Sequence, residues 1–163
     1  MKQNNIFNRI FCKKILQEEK NKYEKCKSLV GHYSDINKRI CEAKDLRTLL
    51  DLHKKAWNLG YRNANLGPCE YGMFRTKDIA CMNPEEVFLG DIYGLWTFPI
   101  PKWEENKDEK FSDDKTIYDI VLEQYKKILR LNIESLYKES INVVKDYEKV
   151  NPPKNPYKLK ISC

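Results

Sequence analysis

The sequence predicts a mainly α protein: a single helical domain over residues 1–150 with a Gly/Pro/aromatic-rich irregular section at 60–103, one long C-terminal helix, and an extended basic C-terminal arm over 151–163. Three observations carry that expectation. Apolar residues recur at three- and four-residue spacing through the first sixty positions and again after residue 112. The breakers gather between those stretches, with five of the six glycines and four of the seven prolines inside 60–103. No Gly or Pro then interrupts residues 113–150. A chain of 163 residues and 19.4 kDa suits one domain with a real core.

Ile6, Phe7, Ile10, Phe11, Ile15, Leu16, Tyr23, Cys26 and Val30 recur at helical spacing, and Gly31 stands where a left-handed terminating residue would. A first helix over about 5–30 follows. Ser34 is the expected cap of a short second helix carrying Ile36 and Ile40. Asp45 is the expected cap of a third, whose apolar face is Leu46, Leu49, Leu50, His53, Ala56 and Trp57. Gly60 should stop it, with Tyr61 folding back on the last turn. Asn83, Pro84, Glu86 and Gly90 mark a helix of under two turns in the irregular section. Ser112 is the expected cap of the long helix, 113–150, with Asp113 and Asp114 suiting its positive end. Leu122, Leu129, Leu136, Val143 and Val150 fall seven apart, with Ile133, Ser140 and Tyr147 between them. That is a heptad seam, to be buried against the N-terminal helix or another subunit. Prolines 152, 153 and 156 keep the tail from being helical, and Tyr157, Leu159 and Ile161 alternate with Lys158 and Lys160 as in an added edge strand.

The net charge of +6 is uneven: +7 over residues 1–60, −3 over 61–111, −1 over 112–150 and +3 over 151–163. A cationic first third and tail suit nucleic acid, an anionic membrane surface or an acidic protein partner, while the interleaved Glu18, Glu19 and Glu24 also fit a solvated helix face. No run approaches the roughly 18 to 20 apolar residues of a membrane span. The start, MKQNNIFNRIFCKK, is too interrupted by Asn, Arg and Lys to be a secretory signal. A cytoplasmic protein without a membrane partner is expected. Its six cysteines, without a CxxC pair, should then be reduced and mostly buried.

No motif names a reaction. Cys26, His32, Cys41 and His53 are ligand types for zinc, yet none form the close pairs of a zinc knuckle, so no metal is expected. His53 on its apolar stripe is a candidate buried base without a visible orienting partner; a histidine satisfied within a core explains it as well. Glu85 and Glu86 are explained by capping, and Glu104 and Glu105 by a solvated turn. Without a phosphate loop, dinucleotide fingerprint or EF-hand loop, neither catalysis nor a cofactor is expected.

The runs LGPCEYGMFRTKDI, Leu66 to Ile79, and NPEEVFLGDIYGLWTFPIP, Asn83 to Pro101, resemble parts of small uncharacterised proteins of crAss-like tailed phages. The resemblance covers about a quarter of the chain. It implies a phage product, either a virion component or an early host-takeover factor, found in the host cytoplasm or the particle. Independently, rigid aromatics set on glycine and proline turns beside Arg75 and Lys77 have the composition of a protein interface. Tyr71, Phe74, Arg75, Trp96 and Trp103, with Tyr157, Leu159 and Ile161 of the arm, are the expected partner-binding residues. The expected function is non-catalytic, a structural or interaction protein assembling with other protein subunits. The alternative is a nucleic-acid-binding protein using the basic first helix and tail for phosphates and exposed aromatics for stacking.

Overall fold

The computed structural model describes residues 2–62 and 104–152 and is built on three helices: α1 (Lys2–Glu42), α2 (Leu46–Asn58) and α3 (Ile117–Val150). The protein is mainly helical; among the described residues the only β pairing is an isolated antiparallel bridge, Lys110 with Thr116. The chain divides into two compact units, Met1–His32 with Tyr137–Cys163, and Tyr33–Leu136.

α1 departs from expectation. It is one helix of 41 residues that runs through Gly31 and Ser34 without a break. Gly31 is not in the left-handed region, and Gly60 is the only described glycine with a positive φ. The reason lies in the inward positions, which pass through the glycine at unbroken spacing. Tyr23 and Tyr33 are buried, Cys26, Val30 and Asn37 half-buried, and Ile40 fully buried, in steps of three and four. A helix interior tolerates one glycine at about 1 kcal/mol relative to alanine, far less than the burial of that row returns.

The second unit holds the larger core. Tyr33, Ile36 and Ile40 of α1, Leu46, Leu49, Leu50, Leu52 and Ala56 of α2, and Val121, Tyr125, Leu129 and Ile133 of α3 are all buried. Asp45 caps α2, accepting from Thr48 N at 2.7 Å and from Thr48 Oγ1 at 2.9 Å, as its sequence position implies. At the other end Tyr61 N donates to Ala56 O and Gly60 N to Trp57 O, both at 3.0 Å, with Gly60 at φ +107°. This double bond pattern is a Schellman stop, and only glycine takes that φ without strain.

α3 begins at Ile117, four residues later than the sequence predicts. Phe111 N and Ser112 N both donate to Lys115 O, at 3.0 and 3.2 Å, so the Ser-Asp-Asp run makes a tight loop instead of a first turn. Thr116 is the cap, accepting from Asp119 N at 3.1 Å. Ser and Asp favour turns for the same reason that they favour caps.

The heptad row is buried in part only. Leu122, Leu129 and Ile133 are buried, Leu136 and Val143 are half-buried, and Val150 is 80 % exposed. The expected burial of Leu136 and Val143 is thus corrected, because beyond Ile133 no third helix covers the row among the described residues. The partner of α3 is the chain's own α1. In the first unit Tyr23 stacks on Tyr147 with ring centroids 4.3 Å apart, and its hydroxyl donates to Glu148 at 2.9 Å. In the second, Asn37 donates to Glu134 at 3.3 Å.

Candidate functional site

The expected partner-binding residues Tyr71, Phe74, Arg75, Trp96, Trp103, Tyr157, Leu159 and Ile161 lie outside the described residues, as do the helix expected at Asn83 to Gly90 and the arm beyond Pro152. Two features inside them have chemical content. One is sealed and one is open.

The sealed feature is His53. α2 carries it into the core of the second unit, where it is 0 % exposed. Its Nδ1 lies 2.7 Å from the Tyr125 hydroxyl. Its Nε2 has no hydrogen-bond partner among the described residues. The rings of Tyr61, Tyr125 and Trp57 surround it, with centroids at 5.4, 5.8 and 6.4 Å. Burial among them drives its pKa down from 6.5 to about 4, so the imidazole is neutral at physiological pH. The same burial pushes the Tyr125 phenol far up, with Tyr61 adding to it. Neither group exchanges a proton with solvent near neutrality, and the arrangement reads as a polar pair that fixes the register of α2 on α3. Arg62 closes the outer side, its guanidinium 4.2 Å from the Trp57 ring and its Nη1 donating to Trp57 O and Tyr61 O at 2.6 Å each. A second polar knot pins the start of α2. The Tyr118 hydroxyl accepts from Leu46 N at 3.0 Å and donates to Glu104 at 2.8 Å, and desolvation raises the phenol's pKa.

The open feature is on α1. Ile6, Phe7, Ile10, Phe11 and Leu16 are 59 to 73 % exposed and Ile15 is 39 % exposed. All six belong to the periodic row that the sequence assigns to a packed helix face. The structure puts the row in a helix and leaves it in water. Lone exposed apolar side chains are ordinary, but five of these six, Ile6, Phe7, Ile10, Phe11 and Ile15, share one face of the helix and form a patch of the kind that marks a docking surface. The second unit also has an open groove of about 680 Å³, lined by Ile40, Cys41, Lys126, Lys127, Arg130 and Leu131 among others. Its cations are largely matched, Arg130 by Glu134 at 3.0 Å and Lys126 by Glu123 at 3.8 Å.

Cys12, Cys26 and Cys41 are unbridged. Cys12 and Cys41 are exposed, against the expectation of buried thiols; Cys41 falls off the inward row of α1, and Cys12 stands in the stretch before Tyr23 where that row is no longer buried. Cys26, His32, Cys41 and His53 do not converge: among the described residues no three potential metal ligands come together. No described helix is long and apolar enough to cross a membrane. No family model, curated protein or solved structure matches the chain.

Proposed function

We propose that the chain is a non-catalytic interaction protein that works by laying exposed surfaces on larger bodies and that assembles with other protein subunits. The observation that carries the docking half of this reading is the α1 patch, whose four aromatic and isoleucine side chains Ile6, Phe7, Ile10 and Phe11 are each at least 59 % exposed. Burying one such side chain is worth about 1.5–3 kcal/mol, so the patch holds a substantial affinity that the isolated chain does not use. The aromatic section and the arm would add further contacts. The resemblance of the aromatic section to crAss-like phage proteins would make the chain a phage product, either a virion component or an early host-takeover factor. The nucleic-acid alternative accounts for the lysines of α1 and, through base stacking, for Phe7 and Phe11, but leaves Ile6 and Ile10 without a role.

Fractionating the full chain from the cell that expresses it, without detergent, tests the reading. The chain should migrate well above its 19.4 kDa. A Phe7→Ser, Phe11→Ser variant should fall back toward that mass. If the natural chain migrates as a free monomer, the reading is wrong.

A further inference from the structure

The α1 patch has a charge pattern as well as an apolar face. Residues 2–17 contain Lys2, Arg9, Lys13 and Lys14 and no Asp or Glu. At about 100° per residue, Ile6, Phe7, Ile10, Phe11 and Ile15 occupy about half of the helix circumference, and Arg9, Lys13 and Lys20 share a strip about 40° wide beside it. Arg9, Lys13, Lys14 and Lys20 are all exposed. The apolar arc also lies on a different side of α1 from Tyr23, Cys26 and Val30, the residues that the helix turns inward further along.

We propose that residues 6–16 of α1 dock on an anionic lipid surface, with the isoleucines and phenylalanines in the headgroup–acyl boundary and the cations at the lipid phosphates. The proposal rests on the reading of the chain as a docking protein and names the partner of this one face. Charge complementarity selects the occupant. A second copy would bring two such segments together, each with four cations and no carboxylate between residues 2 and 17. The chain's own arm would add Lys154, Lys158 and Lys160 and again no acid. Both pairings are repulsive. Nucleic acid would accept the cations and could stack bases on Phe7 and Phe11, but it would leave Ile6, Ile10 and Ile15 in water. An anionic bilayer surface takes both halves.

Width and position agree with that choice. An arc of about half the circumference is broader than the two-in-seven seam of a helix pair and fits a planar boundary. Lys14 falls inside the arc, where its methylenes can lie along the apolar surface while the ammonium reaches the headgroups. In a closed protein groove the same ammonium would be desolvated. A helix lying on the surface needs no span, and none is present among the described residues. The absence of a span, which led the sequence to predict no membrane partner, does not bear on this mode of binding.

The test uses the purified full chain and co-sedimentation with phosphatidylcholine vesicles, with and without phosphatidylserine, at low salt. Binding should be at least about tenfold tighter to the anionic vesicles, because each cation near such a surface contributes about a fivefold factor. Phe7→Ser with Phe11→Ser should weaken it at least about tenfold with helix content unchanged, both rings being exposed in the free chain. Lys13→Glu with Lys14→Glu should remove the preference for phosphatidylserine. Equal binding to both vesicle types overturns the proposal. So does a soluble dimer that the phenylalanine variant dissolves, which would make a second copy the occupant. No vesicle binding by a chain that still migrates with a larger body in cells overturns the lipid assignment and leaves the docking reading standing. If the chain is monomeric in cells as well, both fall.

Discussion

Acidification should loosen the second unit through a single residue, His53. In the folded chain it is 0 % exposed and its pKa is about 4, against 6.5 when free in the unfolded chain. Between those values the unfolded state binds the proton and the folded state does not. Stability is therefore full above pH 6.5 and falls as pH drops toward 4. Linkage gives a loss of about 1 kcal/mol from pH 7 to 5.5 and about 2.5 kcal/mol by pH 4.5, order-of-magnitude figures for one buried group. The carboxylates titrate over the lower part of that window, so the measurement needs a reference without the imidazole. His53→Gln keeps a polar side chain near the Tyr125 hydroxyl and does not titrate. Urea unfolding of both proteins at pH 7, 5.5 and 4.5 should show the variant less stable at pH 7, with the gap closing by about 2 to 3 kcal/mol at pH 4.5. A gap constant with pH, or one that widens on acidification, would refute the desolvation argument, since it would mean that His53 keeps an ordinary pKa or gains a partner when charged.

Other substitutions probe the helices. Leu129→Ala, at a site 0 % exposed, should destabilise by about 2–5 kcal/mol in denaturant unfolding, whereas Leu136→Ala, half-buried, should lose less than half as much. Gly31→Ala should stabilise by about 0.5–1 kcal/mol, because nothing lies within 4 Å of the added Cβ and the residue is inside α1. Gly60→Ala should destabilise by about 1 kcal/mol or more although its surroundings are equally open, because φ there is +107°. Asp45→Ala should lower the melting temperature through loss of the two bonds to Thr48, a cost of about 1 kcal/mol.

The two glycines show how far the sequence could be read. Gly60 is followed by Tyr61, which is 2 % exposed and packs its ring against His53 and Trp57, so a fold-back contact completes the stop. Gly31 is followed by His32, which is exposed, and no fold-back contact exists. The signal that separates them was present in the spacing of Tyr23, Cys26, Val30 and Tyr33, which continues through the first glycine and does not cross the second. A terminator weighs about 1 kcal/mol and a buried row weighs several, so the row decides. Ser112 and Thr116 differ in the same way: both can cap, and the one that does stands directly before the first buried residue, Ile117, at 1 % exposure. The mainly helical character, α2 with both its ends, and the inward placement of His53 were legible because each rests on local rules. The Tyr125 partner, 72 residues away, was not, because nothing in a single sequence marks two aromatic-face residues as opposite one another. Nor was the exposure of the first apolar row, since periodicity announces an amphipathic helix and is silent on what covers it.

That silence is where α1 has most to say about function. Traced back from Tyr23 in the same steps of three and four, the inward row of the helix would fall on Glu19, Leu16, Cys12, Arg9 and Asn5. Glu19, Arg9 and Asn5 are poor residues for a dry seam, so the surface that packs within the chain cannot extend much past Leu16. The apolar residues do not stop there; they move to another side of the helix, at Ile6, Phe7, Ile10, Phe11 and Ile15. A helix end that merely frays would lose its apolar residues or keep them on the old row. One that keeps them and turns them away, on a segment with four cations and no acid, presents a second surface with its own chemical preference. Continuity of backbone through Gly31 then matters to that surface as well as to the core, because an isolated helix of about 15 residues is marginal in water and gains its order from the longer helix to which it belongs.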